Sequence, residues 1–453
     1  MKFITRMLLL AFAVLPLSFF FNNCSKLRSS AEINQFADLA STNDTSNDIP
    51  FSPTPQPSQI TPIALKLVDA NPDWPLDTNC ATNNTYDTCL IWKNPVAHRF
   101  MISSNASASI FYNTAGSPWP FKKGQDLTSI TTLAVNIKKY QTTAGGPLKN
   151  NFIDVFASNG AADSNSYLRT SAVNGKYKFQ HHLDPNFNYT QVMAFYWINY
   201  AKEYFEKNGA IYHSSKTLYG KPAIPVDAFK KTIINNANFS WGTAKWGTVN
   251  LGLVAKDNVN FDHELALSAD VYIHEMGHAN LYYALGGPDN QSVMSDTNLK
   301  VVNNNKFCIS EAGCFTAINE GQADFHSHVL FKSAPTLLET FLNTATGSND
   351  RNANFIKNYT LLQWYNLPSN IFSSVKGEVH ALGSFYGSVL FDIYSHPDTD
   401  KVKFLKVFTA HLQLLSGSST FTSVKQDLLT ADNAIAGKSH ASIINQIFTA
   451  RGL

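Results

Sequence analysis

A chain of 453 residues, 44% of them hydrophobic, is long enough to bury a large core. Its 35 basic and 33 acidic residues leave a net charge near +2, and no basic stripe stands out, which argues against a nucleic-acid partner. The sequence carries no internal repeat, P-loop or serine-centred nucleophile motif, so nucleotide hydrolysis and serine chemistry have nothing to rest on.

The chain opens with Lys2 and Arg6, then an apolar run over residues 7–21, then Cys24. The run is too short and wrongly flanked for a permanent membrane span, and residues 1–23 read as an export signal. A cysteine directly after such a run predicts a bacterial lipoprotein with lipid on Cys24, exposed to the periplasm or the cell surface. The plainer alternative is an ordinary signal peptide with an incidental cysteine, which would give a secreted protein. Residues 24–63 stay polar and end in the proline-rich stretch from Ile49 to Ser58, the composition of an extended tether.

Residues 64–185 are rich in Thr, Ser, Asn, Val, Ile and aromatics, as in Leu133-Ala134-Val135-Asn136-Ile137 and Phe152-Ile153-Asp154-Val155-Phe156, and are predicted to be mostly β. Of the five cysteines, setting Cys24 aside leaves two near-neighbour pairs, Cys80 with Cys89 and Cys308 with Cys314. Two short disulfide loops suit an oxidising compartment. Neither pair has the two-residue gap of a zinc knuckle, which weighs against a cysteine metal site.

The next element carries the chemistry. His274-Glu275-Met276-Gly277-His278 sits in a segment free of helix breakers except Gly277, and Gly286-Gly287-Pro288 supplies the stop, so a helix is predicted there. Residues four apart share a helical face, so His274 and His278 can offer two imidazole nitrogens to one metal ion while Glu275 points into the same cleft. Catalytic zinc takes three protein ligands and keeps one position open. The bland alternative is a helix with two surface histidines.

Downstream, Ala317-Ile318-Asn319-Glu320-Gly321-Gln322-Ala323-Asp324-Phe325 places two carboxylates one turn apart. Glu320 is the candidate third ligand, and Asp324 can accept the N–H of a ligating histidine, most simply His274. Gly321 and Ala323 are small enough for a close backbone approach. His326 and His328 are bystanders, because a spacing of two does not place both on one face. From residue 330 onward the pattern is helical: Leu405, Phe408, Leu412 and Leu415 form one apolar stripe, and Ile443, Ile444 and Ile447 another.

The two segments resemble those of the gluzincin metallopeptidases, the thermolysin and fungalysin type, in which a downstream N/G-E-x-x-x-D helix supplies the third ligand. The resemblance implies zinc held by His274, His278 and Glu320, the His2Glu set of thermolysin. A third match, Glu378-Val379-His380-Ala381-Leu382-Gly383, is similar to the E-V-H-x-x-G segment of fungalysins and implies that His380 stabilises the transition state beside the catalytic base Glu275. The segment from Val192 to Phe205 resembles the helix upstream of the site. Asn235-Asn236-Ala237 resembles the edge strand that pairs with bound peptide, which would make Asn236 and Ala237 substrate-binding residues. The end of the chain, Ile447 to Leu453, resembles the last helix of those enzymes. The chain departs from the pattern at Ser384, where fungalysins carry an acidic residue, and no oxyanion-assisting tyrosine can be placed. A metzincin is excluded because its third histidine would fall at Ala284.

The expected protein is therefore a monomeric α+β zinc metalloendopeptidase, lipid-anchored, with peptide or protein as substrate and one catalytic zinc; calcium is not indicated. The resemblance implies a two-lobed zincin fold, with a β-rich N-terminal lobe, a mainly helical C-terminal lobe and the active site between them. The expected layout is signal peptide 1–23, tether 24–63, β-rich region 64–185, zinc-binding lobe 186–330 and helical lobe 331–453. The competing class is a non-catalytic, zinc-stabilised binding lipoprotein; Glu275 favours the enzyme, since a purely structural metal has no use for that carboxylate.

Overall fold

The structure is a computed structural model that describes residues 76–77, 80, 82, 84–90, 132–141, 143–158, 167–179, 187–210, 223–230, 237–240, 247–256, 259–264, 266, 269–287, 314–331, 353–367 and 379–453. The predicted export signal, Cys24, the tether, Asn236, Cys308 and Glu378 lie outside them.

Short strands come first, with one long helix between the fourth and fifth of them, and helices follow from residue 269 onward, in a mixed α+β arrangement. The strands are β1 (Leu76–Asp77), β2 (Thr88–Leu90), β3 (Thr132–Val135), β4 (Ile153–Phe156), β5 (Ile224–Asp227), β6 (Ala237–Ser240), β7 (Thr248–Leu251), β8 (Leu253–Lys256) and β9 (Val259–Glu264). Three of them form a small antiparallel sheet in the order β1-β3-β2, which places Cys89 opposite Ala134. The predicted disulfide Cys80–Cys89 is present, with Cα atoms 5.8 Å apart, and tethers the start of this sheet. Cys314 is also disulfide-bonded.

Four strands form the sheet that matters for the site, in the order β4-β5-β7-β6. β4, β5 and β7 run parallel, and β6 closes the edge antiparallel to β7. This sheet draws β4 from before residue 185 and its other strands from after it. The parallel strands alternate: Ile153, Val155, Ile224, Val226, Val249 and Leu251 are buried on one face, while Asp154 and Pro225 between them are partly exposed. Asn238 and Asn250, directly opposite on β6 and β7, are tied by a 2.9 Å side-chain hydrogen bond that holds the edge in register.

The helices are α1 (Asn188–Lys207), α2 (Ala269–Ala284), α3 (Phe315–Leu330), α4 (Ala353–Ile356), α5 (Leu361–Tyr365), α6 (Val379–Ser395), α7 (Lys401–His411), α8 (Phe421–Ala436) and α9 (Ala441–Ala450). α1, over the segment predicted as a helix, lays Val192, Met193, Phe195 and Trp197 into the core. In α2 every residue but Ala284 is buried, which marks a central helix rather than a surface one. It stops where Gly286 and Gly287 adopt φ of 100° and 58°, a left-handed turn that glycine takes without steric cost. α2 packs on α1, α3 and β6, and α3 packs on α6. The stripes predicted on the later helices face the core: Leu405, Phe408, Leu412, Leu415, Ile443 and Ile444 are buried, and Ile447 is partly buried against them. Among the described residues no helix is long and apolar enough to cross a membrane.

Candidate metal centre

α2, α3 and α6 cross so closely that glycine is required at each contact. A Cβ on Gly277 of α2 would stand 2.8 Å from the Cα of Ala323 on α3. One on Gly321 would stand 2.4 Å from the carbonyl oxygen of Gly383 on α6, and one on Gly387 would stand 2.8 Å from the carbonyl oxygen of Gly321. These are backbone atoms, which cannot swing aside. The three helices therefore pack with backbones nearly in contact, and their short-range neighbours, the side chains at 274, 278, 320, 324 and 380, converge.

His274, His278 and Glu320 present three ligand atoms that lie within 4.8 Å of one another, all buried. The two Nε2 atoms are 3.0 Å apart; Nε2 of His274 is 3.4 Å from Glu320 Oε2, and Nε2 of His278 is 3.7 Å from Glu320 Oε1. Donors bound at about 2.0–2.1 Å from one ion at tetrahedral angles stand roughly 3.3 Å apart, so the cluster has the size of a site for a single ion. Three acidic side chains, Glu275, Glu320 and Asp324, are buried in this small space. Burying them ionised costs several kcal/mol each unless positive charge is close, and a divalent cation would offset two of the three charges. The residues present thus fit a metal ion.

Each histidine is held from behind. Nδ1 of His274 lies 2.9 Å from Asp324 Oδ1, as predicted, and Nδ1 of His278 lies 2.9 Å from Asn319 Oδ1. An N–H on each Nδ1 reserves each Nε2 for an ion, once the proton that His274 shares with Glu320 is lost. Asn319 is itself oriented by Gln322, whose amide donates to Asn319 Oδ1 at 3.2 Å and to the Gly277 carbonyl at 2.9 Å. Burial works to lower the pKa of His274, but hydrogen bonds to Asp324 and Glu320 outweigh it and raise the value to about 9. Burial, helped by the neighbouring His274 and His380, takes His278 down to about 4. For Glu320 burial works upward, yet His380, His278 and His274 together hold its carboxyl well below the usual range.

Glu275 lies between the two histidines on α2 and is 1% exposed. His380 stands in the first turn of α6 with Nε2 3.6 Å from Glu320 Oε1, and its side chain is 12% exposed against 3–5% for the three ligand residues. It is the part of the cluster nearest solvent. Ala237 begins β6, the edge strand, whose Phe239 packs against Tyr282 and Tyr283 of α2. His326 and His328 are placed away from the cluster. His326 lies among Tyr204, Phe205, Phe325 and Phe408, and burial drives its pKa down to about 3, so it is a neutral packing residue. His328 packs on Phe391.

The surface-histidine alternative is overturned, since His274 and His278 are 2% and 3% exposed. Sequence reasoning missed the parts of Asn319, Gln322 and Ser384, whose hydroxyl donates to Asp324 Oδ2 at 3.0 Å. Asn319 directly precedes Glu320 and could have been flagged as a polar neighbour of the ligand. Nothing in the chain around Ser384 indicates that it faces α3. Compared with known proteins, the chain matches no family model and no curated protein.

Proposed function

We propose that the protein is a zinc-dependent metalloendopeptidase of the gluzincin type, with the two-lobed zincin arrangement and its cleft at the His274–His278–Glu320 cluster. One observation carries the reading: two imidazoles and a carboxylate, spaced to share one ion, are buried with a further carboxylate, Glu275, on the same helix between the two histidines. Zinc bound there would supply Lewis acidity, polarising a scissile carbonyl and making water acidic near neutral pH. Glu275 takes the proton from the attacking water and returns it to the leaving amine, a task that needs a carboxylate kept dry and close. Asp324 and Asn319 keep the two imidazoles in the tautomer that frees Nε2. His380, at the solvent side of the cluster, donates to the oxygen that gains charge as the carbonyl is attacked. β6 has an edge free of partners among the described strands, and an extended peptide can add there as a further strand, with Ala237 at its start.

The test is Glu275→Gln, which keeps shape and loses basicity. Peptide hydrolysis should fall by several orders of magnitude while metal analysis still finds one zinc per chain. Full activity in that variant would sink the mechanism, and loss of the metal would assign Glu275 a structural role instead. The proposed location is extracytoplasmic with lipid on Cys24; the Cys80–Cys89 disulfide supports an oxidising compartment. Mass spectrometry of the mature N-terminus should then show an acylated Cys24, and an unmodified cysteine would refute the anchor.

A further inference from the structure

Ser384 sits on α6, is 1% exposed, and donates its hydroxyl to Asp324 Oδ2 at 3.0 Å. Asp324, 0% exposed, turns its other oxygen to His274 Nδ1 at 2.9 Å. One carboxylate on α3 is thus gripped from α6 and in turn faces a ring on α2. The torsion that orients a carboxylate about its Cβ–Cγ bond is soft, with broad wells rather than sharp ones. An oxygen that has to hold an imidazole in one plane is therefore steadied when its twin is fixed. Bulk water cannot do this in a fully buried pocket, so a protein donor is needed. The helix contact is built to bring one: the glycine one residue before Ser384 and the one three residues after it both touch α3, and a Cβ on Gly387 would stand 3.3 Å from Asp324 Cβ.

We propose that Ser384 is a positioning residue of the metal centre, which fixes the ring of His274 through Asp324 and so sets the affinity for the ion. This rests on the reading of His274, His278 and Glu320 as ligands. Outer hydrogen bonds of this kind alter metal affinity by about ten- to a hundredfold when removed.

The experiment is a double-mutant cycle on the full chain, read as zinc dissociation constants by competition with a chromogenic chelator. Wild type, Ser384→Ala, Asp324→Ala and the double variant are compared, with melting of the metal-free proteins followed in parallel. Ser384→Ala should weaken zinc about tenfold or more. The double variant should bind no more weakly than Asp324→Ala alone, because the hydroxyl acts only through that carboxylate. A general loosening of the helices would instead multiply the two losses, and that result overturns the proposal, as does wild-type affinity in Ser384→Ala. A wild-type chain that binds no zinc is a different failure: it removes the metal reading itself and this inference with it.

Discussion

His274 carries the clearest conflict of forces in the molecule. Its ring is buried, which by itself favours the neutral form, yet two acidic side chains within hydrogen-bond range keep it protonated up to a pH of about 9. His278, four residues on, is neutral down to about 4, and Glu320 is ionised across the whole range of ordinary pH. A metal ion at this site must displace the proton of His274, the one proton that the three ligand side chains carry near neutrality. Between pH 4 and 9 each unit of acidification therefore lowers metal affinity by up to about tenfold, and above 9 the dependence flattens. Zinc titrated into the metal-free protein at pH 7, in two buffers of different ionisation enthalpy, should show at least about one proton released per ion bound, any excess coming from metal-bound water. A release near zero would mean that the proton does not reside on His274.

At the scale of elements, the site is made by a seam of small residues. Gly277 and Ala323 join α2 to α3, and Gly321, Gly383 and Gly387 join α3 to α6. Gly321→Ala decides between two opposed effects. Alanine gains about 1 kcal/mol of helix propensity over glycine, whereas forcing a methyl against the Gly383 carbonyl, 2.4 Å away, costs about 1–3 kcal/mol or displaces a helix. The obstacle is backbone, so the steric cost wins: the melting temperature should fall and zinc content with it. A variant as stable as wild type, with full zinc, would show that the seam has slack. Much of this was legible beforehand. The histidine pair follows from the helical period alone, and Gly321 and Ala323 announced a close approach before any partner helix was known. The other half of the seam was not legible. Gly383, Ser384 and Gly387 acquire meaning only once α6 is known to lie across α3, a contact between segments some sixty residues apart that no local pattern encodes. The sheet was hidden for the same reason: its strands are four residues long, and the order β4-β5-β7-β6 depends on pairing across the intervening α1.

At the scale of the whole molecule, α6 links the site to the far end of the chain. His380, Gly383 and Ser384 occupy its first turns, and Phe385, Ser388 and Asp392 meet Arg451, which follows α9. The Arg451 guanidinium is buried. It donates to the carbonyls of Tyr359 at 2.8 Å and Ile356 at 3.1 Å and to the Ser388 hydroxyl at 2.8 Å, pairs with Asp392, and lies over the Phe385 ring. The pair is not a source of stability by its charges alone. Burial raises Asp392 to about 6 and lowers Arg451, in each case against the attraction of the partner, so desolvation exceeds the Coulomb gain. A carboxyl with a raised folded pKa favours the folded state most at pH below its unfolded value near 4, and that contribution is lost as pH rises through 6. What Arg451 supplies is satisfaction of two carbonyls and one carboxylate that converge on a single point. Arg451→Met should therefore destabilise the protein by about 1–3 kcal/mol at pH 7, because it leaves a partly buried carboxylate uncompensated and takes a donor from the carbonyls of Tyr359 and Ile356. The loss should shrink at pH 5, where Asp392 becomes protonated and no longer needs a counter-charge. Adding Asp392→Leu to Arg451→Met should return part of the stability for the same reason. Urea unfolding of the single and double variants at both pH values measures all of this, and a loss that is the same at pH 5 and pH 7 would show that packing on Phe385, rather than the buried charge, holds the chain end to α6.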